Sequence, residues 1–85
     1  MVLYYLNLYN GSGLTLDEEG QDFRDSEEAR ASAVQGIRSI LAAELESGTL
    51  DLNGRLEVLD QNHALVLTIA FSDAVDVTPA KQSAQ

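Results

Sequence analysis

From Val2 to Tyr9 the chain alternates. Val2, Tyr4, Leu6 and Leu8 fall on one side and Leu3, Tyr5, Asn7 and Tyr9 on the other, in residue types that favour extended backbone. Asn10-Gly11-Ser12-Gly13 follows at once. An Asn-Gly pair tolerates the positive φ angles of tight hairpins, so Leu14-Thr15-Leu16 is predicted to return antiparallel to the first strand. Asp17-Glu18-Glu19-Gly20 ends that run as a second turn, with Gln21-Asp22-Phe23 as a short extended continuation.

The period then changes from two to three and four. Ala29, Ala33, Val34, Ile37, Ile40, Leu41 and Leu45 form one apolar stripe, flanked by Arg30, Gln35, Arg38, Glu44 and Glu46. Asp25 is a good N-cap, and Glu28 is placed to reach back to the Asp25 amide. Glu27 and Glu28 sit where the positive end of the helix dipole stabilises carboxylates. Gly48 stands at the left-handed position that ends a helix near Ser47. Gly36 is an interior cost and is read as a point of close packing on the sheet.

After Gly54, Leu56 and Val58 alternate with Arg55, Glu57 and Leu59 as a third strand, and Asp60-Gln61-Asn62-His63 is a turn. Ala64 to Phe71 is the longest apolar run, interrupted only by Thr68, so it is predicted to be a central strand covered on both faces. Ser72 to Val77 reads as a short amphipathic segment that packs Val75 and Val77. These elements predict an α+β fold: a four-stranded antiparallel sheet in β-β-α-β-β order with one long helix on one face. Tyr4, Leu6, Leu8, Leu14, Leu16, Leu56, Val58, Leu65, Leu67, Ile69 and Phe71 are expected to point at the helix. Residues 1–77 form the single domain and 78–85 a flexible tail.

The opposite face then carries Leu3, Tyr5, Tyr9, Leu59 and Val66, an apolar group of the kind that marks an interface. A chain of 85 residues with 45% hydrophobic content builds one modest core, and a second copy could supply further burial. A homodimer paired through the sheet is therefore expected. Five basic against fourteen acidic residues give a net charge of −9, which disfavours direct binding to nucleic acid or anionic membranes and leaves a basic protein as the natural charged partner. The absence of cysteine rules out disulfides, thiolate zinc sites and cysteine nucleophiles. The N-terminus lacks the basic start of a secretory signal, and no apolar stretch approaches the roughly twenty residues of a bilayer span, so a cytoplasmic protein is expected.

Chemistry is sparse. Asp17, Glu18, Glu19, Asp22, Asp25, Glu27 and Glu28 lie within one short stretch. Counted from Asp17, a calcium loop needs glycine at its sixth position and glutamate at its twelfth; the chain offers Asp22 and Glu28, so the calcium pattern fails. Paired carboxylates act as acid and base only where a pocket raises one pKa, and these lie in polar segments. The single histidine, His63, reads as a turn residue. No serine sits in a nucleophile elbow, and Gly11-Ser12-Gly13 lacks the spacing and lysine of a phosphate loop. Tyr4, Tyr5 and Tyr9 lack the basic surroundings of an RNA-binding sheet. No cofactor, metal or catalytic set is read. The reading is a non-enzymatic acidic interaction module whose partner surface comprises Asp17, Glu18, Glu19, Asp22, Glu27 and Glu28. A small-ligand or cation-binding protein using the same carboxylates is the alternative.

The aromatic first strand ending in Asn10-Gly11, the segments "DEEGQDF" and "DSEEARASA", and "LDLNGRLEVLDQNHALVLTIAFSDAV" together resemble an uncharacterised domain of unknown function found in short bacterial proteins of about this length. That resemblance supports the element order and implies no activity, cofactor or catalytic residue. The run Asp25-Ser26-Glu27-Glu28-Ala29 is also similar to the helix start of HicB-type antitoxins, small partners of basic RNA-cleaving toxins. The "PDLPGC"-type segment and any DNA-binding extension of those antitoxins are missing here.

Overall fold

A computed structural model describes residues 1–81. Strands β1 (Val2–Asn10), β2 (Gly13–Thr15) and β3 (Gln21–Phe23) precede the helix α1 (Ser26–Glu46); β4 (Arg55–Leu59), β5 (Leu65–Ala70) and a 3-10 turn (Phe71–Asp73) follow it. All strand pairs are antiparallel, in the order β2-β1-β4-β5, with β3 also pairing β1. The α+β fold and its β-β-α-β-β order therefore hold, with the second strand split in two. Thr15 lies opposite Leu8 and Gln21 opposite Tyr4, so five residues on this lane span the three of β1 between them. The two extra residues are accommodated by the excursion Leu16–Gly20.

The helix boundaries follow from local chemistry. Asp25 Oδ1 accepts the Glu28 N–H (2.9 Å), and the C-terminus closes as a Schellman motif: Gly48 N–H to Leu45 O (3.0 Å) and Thr49 N–H to Glu44 O (2.9 Å), with Gly48 at φ 87°. One detail of the cap differs from expectation. Glu28 Oε1 accepts the amide of Arg24 (3.0 Å), one residue before the cap, because Oε2 is drawn to the Arg24 Nε at 2.8 Å.

The helix packs mainly over β3, β4 and β5. Ala29, Ala33, Ile37 and Leu41 meet Tyr4, Phe23, Leu56, Val58, Ile69, Phe71 and Ala74 in one core, with Leu6, Leu8, Val34, Ile40, Leu67 and Val75 at its margin. Leu14, Leu16, Leu45, Leu65 and Val77, all assigned to the interior by periodicity, are exposed. The reason is geometric. Leu14 lies opposite Tyr9 and Leu65 opposite Leu59, both on the face away from the helix, Leu16 follows β2 in the excursion, and Leu45 lies in the last helical turn. Val77 lies beyond the 3-10 turn, where Ala74 fills the core and Arg38 Nε donates to its carbonyl at 2.7 Å.

β5 is an edge strand rather than a central one, since it pairs only with β4. Its apolar run reflects one covered face and an open edge. The register shifts between Val58 and Leu59, which brings Leu59 opposite Leu65 and leaves Val66 as the extra residue of a bulge. The expected tail has no helix or strand over 78–81, and residues 82–85 lie outside the described residues.

Gly36 is exposed, and a Cβ built there meets nothing within 4 Å, so it does not mark close packing. Gly36→Ala removes backbone freedom from the unfolded chain without strain in the helix. The variant should be more stable by about 0.5–1 kcal/mol, seen as a melting point raised by a few degrees. An unchanged or lower melting point would mean that the helix is not straight and regular through this turn.

Candidate functional site

Alternation along β1 sends Leu3, Tyr5, Asn7 and Tyr9 to the face away from the helix. Each meets a specific neighbour. Gly20, at φ 76°, lies so close to Leu3 that a Cβ there would stand 2.8 Å from the leucine Cδ1. Tyr5 is stacked on His63, ring centroids 4.3 Å apart, and His63 holds a positive φ of 63° in the β4–β5 turn. Tyr9 lies beneath the Arg55 guanidinium, 4.0 Å from the ring centroid, and the same Arg55 pairs with Glu57.

Asn7 is only 7% exposed although it faces away from the helix. The Leu16–Gly20 excursion covers it. The Asp17 N–H donates to Asn7 Oδ1 (2.9 Å), while the Asp17 carboxylate accepts the Leu6 N–H on Oδ2 (3.2 Å) and the Gly20 N–H on Oδ1 (3.0 Å). Asp17 thus replaces a missing rung of the ladder: Leu6 loses a backbone partner where the lane bows out, and the carboxylate supplies one. Beside this clasp is an open concavity of about 280 Å³, lined by Tyr5, Asn7, Leu16, Asp17, Glu18 and His63.

The registers show that the outer face is not one apolar sheet. Tyr5 and Leu59 form one row, but the next is Asn7, Glu57 and Thr68, and the third is Tyr9, Arg55 and Ala70. Leu3, Tyr5, Tyr9 and Leu59 are half-buried, whereas Val66 is exposed at the β5 edge. Position parity in the sequence gives the side of the sheet but not which neighbours cover it.

The acidic residues divide by role. Asp17 is committed to backbone amides, Asp25 to the helix cap and Glu28 to Arg24. Glu18 borders the concavity, Asp22 lies opposite Leu3 on β3, and Glu18, Glu19, Asp22 and Glu27 are exposed. Among the described residues no group of three His, Asp or Glu side chains is placed to hold a metal ion. No helix among them is long and apolar enough to cross a membrane.

Two carboxylates stand out electrostatically. The Arg24 backbone N–H, then its side chain, hold Glu28 below the usual glutamate range, and the Asn53 backbone N–H, then its side chain, do the same for Asp51. A carboxylate with a depressed folded pKa contributes stability above its unfolded pKa and loses it as pH falls through the folded value. The chain should therefore lose stability progressively below about pH 4.3, the ordinary glutamate value. Glu28→Gln should flatten that acid limb while leaving its slope near neutrality unchanged. Melting curves between pH 3 and 7 test this; identical acid limbs in the two proteins would show that the Arg24–Glu28 contact is not held in solution.

Sequence reasoning missed Asn7, whose role rests on a contact ten residues away across a bowed lane. The available signal was a lone amide inside an apolar strand, facing an acidic turn.

A family model described as "Domain of unknown function (DUF6894)" matches residues 3–72, from β1 into the 3-10 turn, and the chain belongs to that family. No curated protein and no solved structure matches it.

Proposed function

We propose that this chain is a small non-enzymatic interaction module of the cytoplasm that self-associates through its sheet, with β5 as the pairing edge. The observation that carries this reading is the contrast between the two edges. The β2–β3 edge is broken by the excursion and flanked by Asp17, Glu18, Glu19 and Asp22. β5, reading Leu65-Val66-Leu67-Thr68-Ile69-Ala70, has no charge and no proline, and its outer side carries no strand among the described residues. Soluble proteins guard unpaired edges with charge, interruption or short length, so an unguarded edge beside a guarded one is the pattern of an edge that is used.

A second copy is the occupant that fits best. Two β5 strands related by a two-fold axis pair antiparallel with their faces matched when the axis passes through Leu67 or Thr68. Either register covers part of Leu65 (58% exposed) and Val66 (40% exposed). A chain this short also gains from the added burial. Glu18, Glu19, Asp22 and Glu27 are then free to meet a basic partner. The antitoxin-like alternative gains no support of its own, since Asp25 and Glu28 are occupied in starting the helix.

Light scattering across a concentration series tests the reading in the intact chain. Thr68→Lys places an ammonium opposite Glu57 in the monomer, where it is tolerated, and puts like charges at the proposed axis. The expected result is a wild-type dimer and a Thr68→Lys monomer with an unchanged circular dichroism spectrum. A dimer broken by Tyr5→Lys but not by Thr68→Lys would move the interface to the outer face. A monomeric wild type throughout would end the self-association reading.

A further inference from the structure

The concavity beneath the Leu16–Gly20 excursion uses none of the residues of the β5 edge, and its floor is chemically specific. Asn7 is the buried polar side chain of the sheet. Its orientation is fixed, because the Asp17 N–H can only donate, so the atom that meets it is Oδ1 and the amide nitrogen points elsewhere. No acceptor among the described residues takes an Asn7 Nδ2 hydrogen, yet no fully buried polar atom lacks a partner. The nitrogen is therefore not sealed from solvent, and Asn7 lines the concavity.

A donor at the floor asks for an acceptor. An anion would bring a second negative charge beside Asp17 and Glu18 in a chain of net charge −9, which disfavours it. A cationic ammonium has no lone pair to offer. A neutral carbonyl satisfies both conditions, and the Tyr5 ring and Leu16 side chain supply walls for an apolar group behind it. We propose that this concavity binds a neutral amide carbonyl carried on a short apolar stem, with Asn7 Nδ2 donating to the oxygen and the stem lying between Tyr5 and Leu16. Such an amide could be a free small molecule or a peptide side chain. The volume of about 280 Å³ suits a ligand of that size, at the lower end of small-molecule sites.

The test is amide-resonance titration of the ¹⁵N-labelled full chain with three probes of equal butyl stem: N-butylacetamide, butylamine and pentanoate. The amide should shift Tyr5, Asn7, Asp17 and Glu18, with the Asn7 side-chain NH₂ among the largest changes. The other two should not, up to about 20 mM, the weak range expected of so small a ligand. Asn7→Asp keeps an oxygen for the Asp17 N–H and removes the donor, so it should weaken the amide about tenfold. Leu16→Ser, at an exposed position, should also weaken it and serves if Asn7→Asp does not fold. A dipeptide with an acetylated lysine that binds at least about tenfold tighter than N-butylacetamide would assign the amide to a peptide, and equal affinity would assign it to a small molecule. Silence with all three probes, equal binding of pentanoate or butylamine, or undiminished binding by both variants would overturn the proposal.

Discussion

Phe71→Ala should lower the stability of the folded chain by about 3–5 kcal/mol, enough to leave a domain of this size substantially unfolded at room temperature. Phe71 is fully buried although it follows β5 in a 3-10 turn, and its ring stands where a side chain on Gly54 would be. A Cβ built on Gly54 falls 2.7–2.9 Å from three ring carbons, and the Phe71 N–H donates to Gly54 O at 2.9 Å. The ring and the bare glycine are thus complementary halves of one contact, tying the entrance of β4 to the exit of β5. Truncating the ring leaves a cavity next to a residue that has no side chain to collapse into it, so the cost belongs at the upper end of the range. Gly54→Ala attacks the same contact from the other side and should cost about 1–3 kcal/mol through overpacking. Urea titration of both variants checks this, and a Phe71→Ala midpoint within about 1 kcal/mol of wild type would mean that the ring is not part of the core.

Phe71 also marks how far the chain can be read from its letters. It was legible as an inward residue, as were Tyr4, Leu56, Val58 and Ile69, because strand alternation is a local property. The helix was legible to within a residue for the same reason: Asp25 and Gly48 act on backbone groups three or four residues away. What was not legible is set by pairing at long range. The run from Ala64 to Phe71 reads the same at the centre or the edge of a sheet, and only the order β2-β1-β4-β5 leaves Leu65 and Val66 uncovered. Leu14 reads as interior by alternation, but the hairpin register sets it opposite Tyr9 on the face away from the helix, and Leu16 lies past β2 beside the concavity. At the candidate site, Asp17 and Glu18 read alike as turn acids. One is a clasp and the other a free carboxylate because of two extra residues in the β2–β3 lane, which register alone reveals.

That difference makes Asp17→Ala and Glu18→Gln an informative pair. Each removes one negative charge from the same turn, so any effect of net charge is common to both. Glu18→Gln breaks no hydrogen bond among the described residues and should change stability by no more than about 0.5 kcal/mol. Asp17→Ala strips the acceptors from the Leu6 and Gly20 amides, both in part-buried bonds. An amide that loses a charged acceptor costs about 1–3 kcal/mol, and partial access to water holds the sum for the two near about 3 kcal/mol. Asp17→Asn should fall between them: one oxygen still serves one amide, while the new NH₂ faces the other donor. Urea midpoints give the magnitudes, and hydrogen exchange gives the location, since the Leu6 and Gly20 amides should exchange faster in Asp17→Ala while amides of the helix keep their order of protection. If Asp17→Ala proves no more costly than Glu18→Gln, the carboxylate is one more surface charge and returns to the acidic patch available to a basic partner. If it costs what the geometry requires, the acidic run is divided between residues that hold the excursion over Asn7 and residues that face outward, and only the second group is open to selection by a partner.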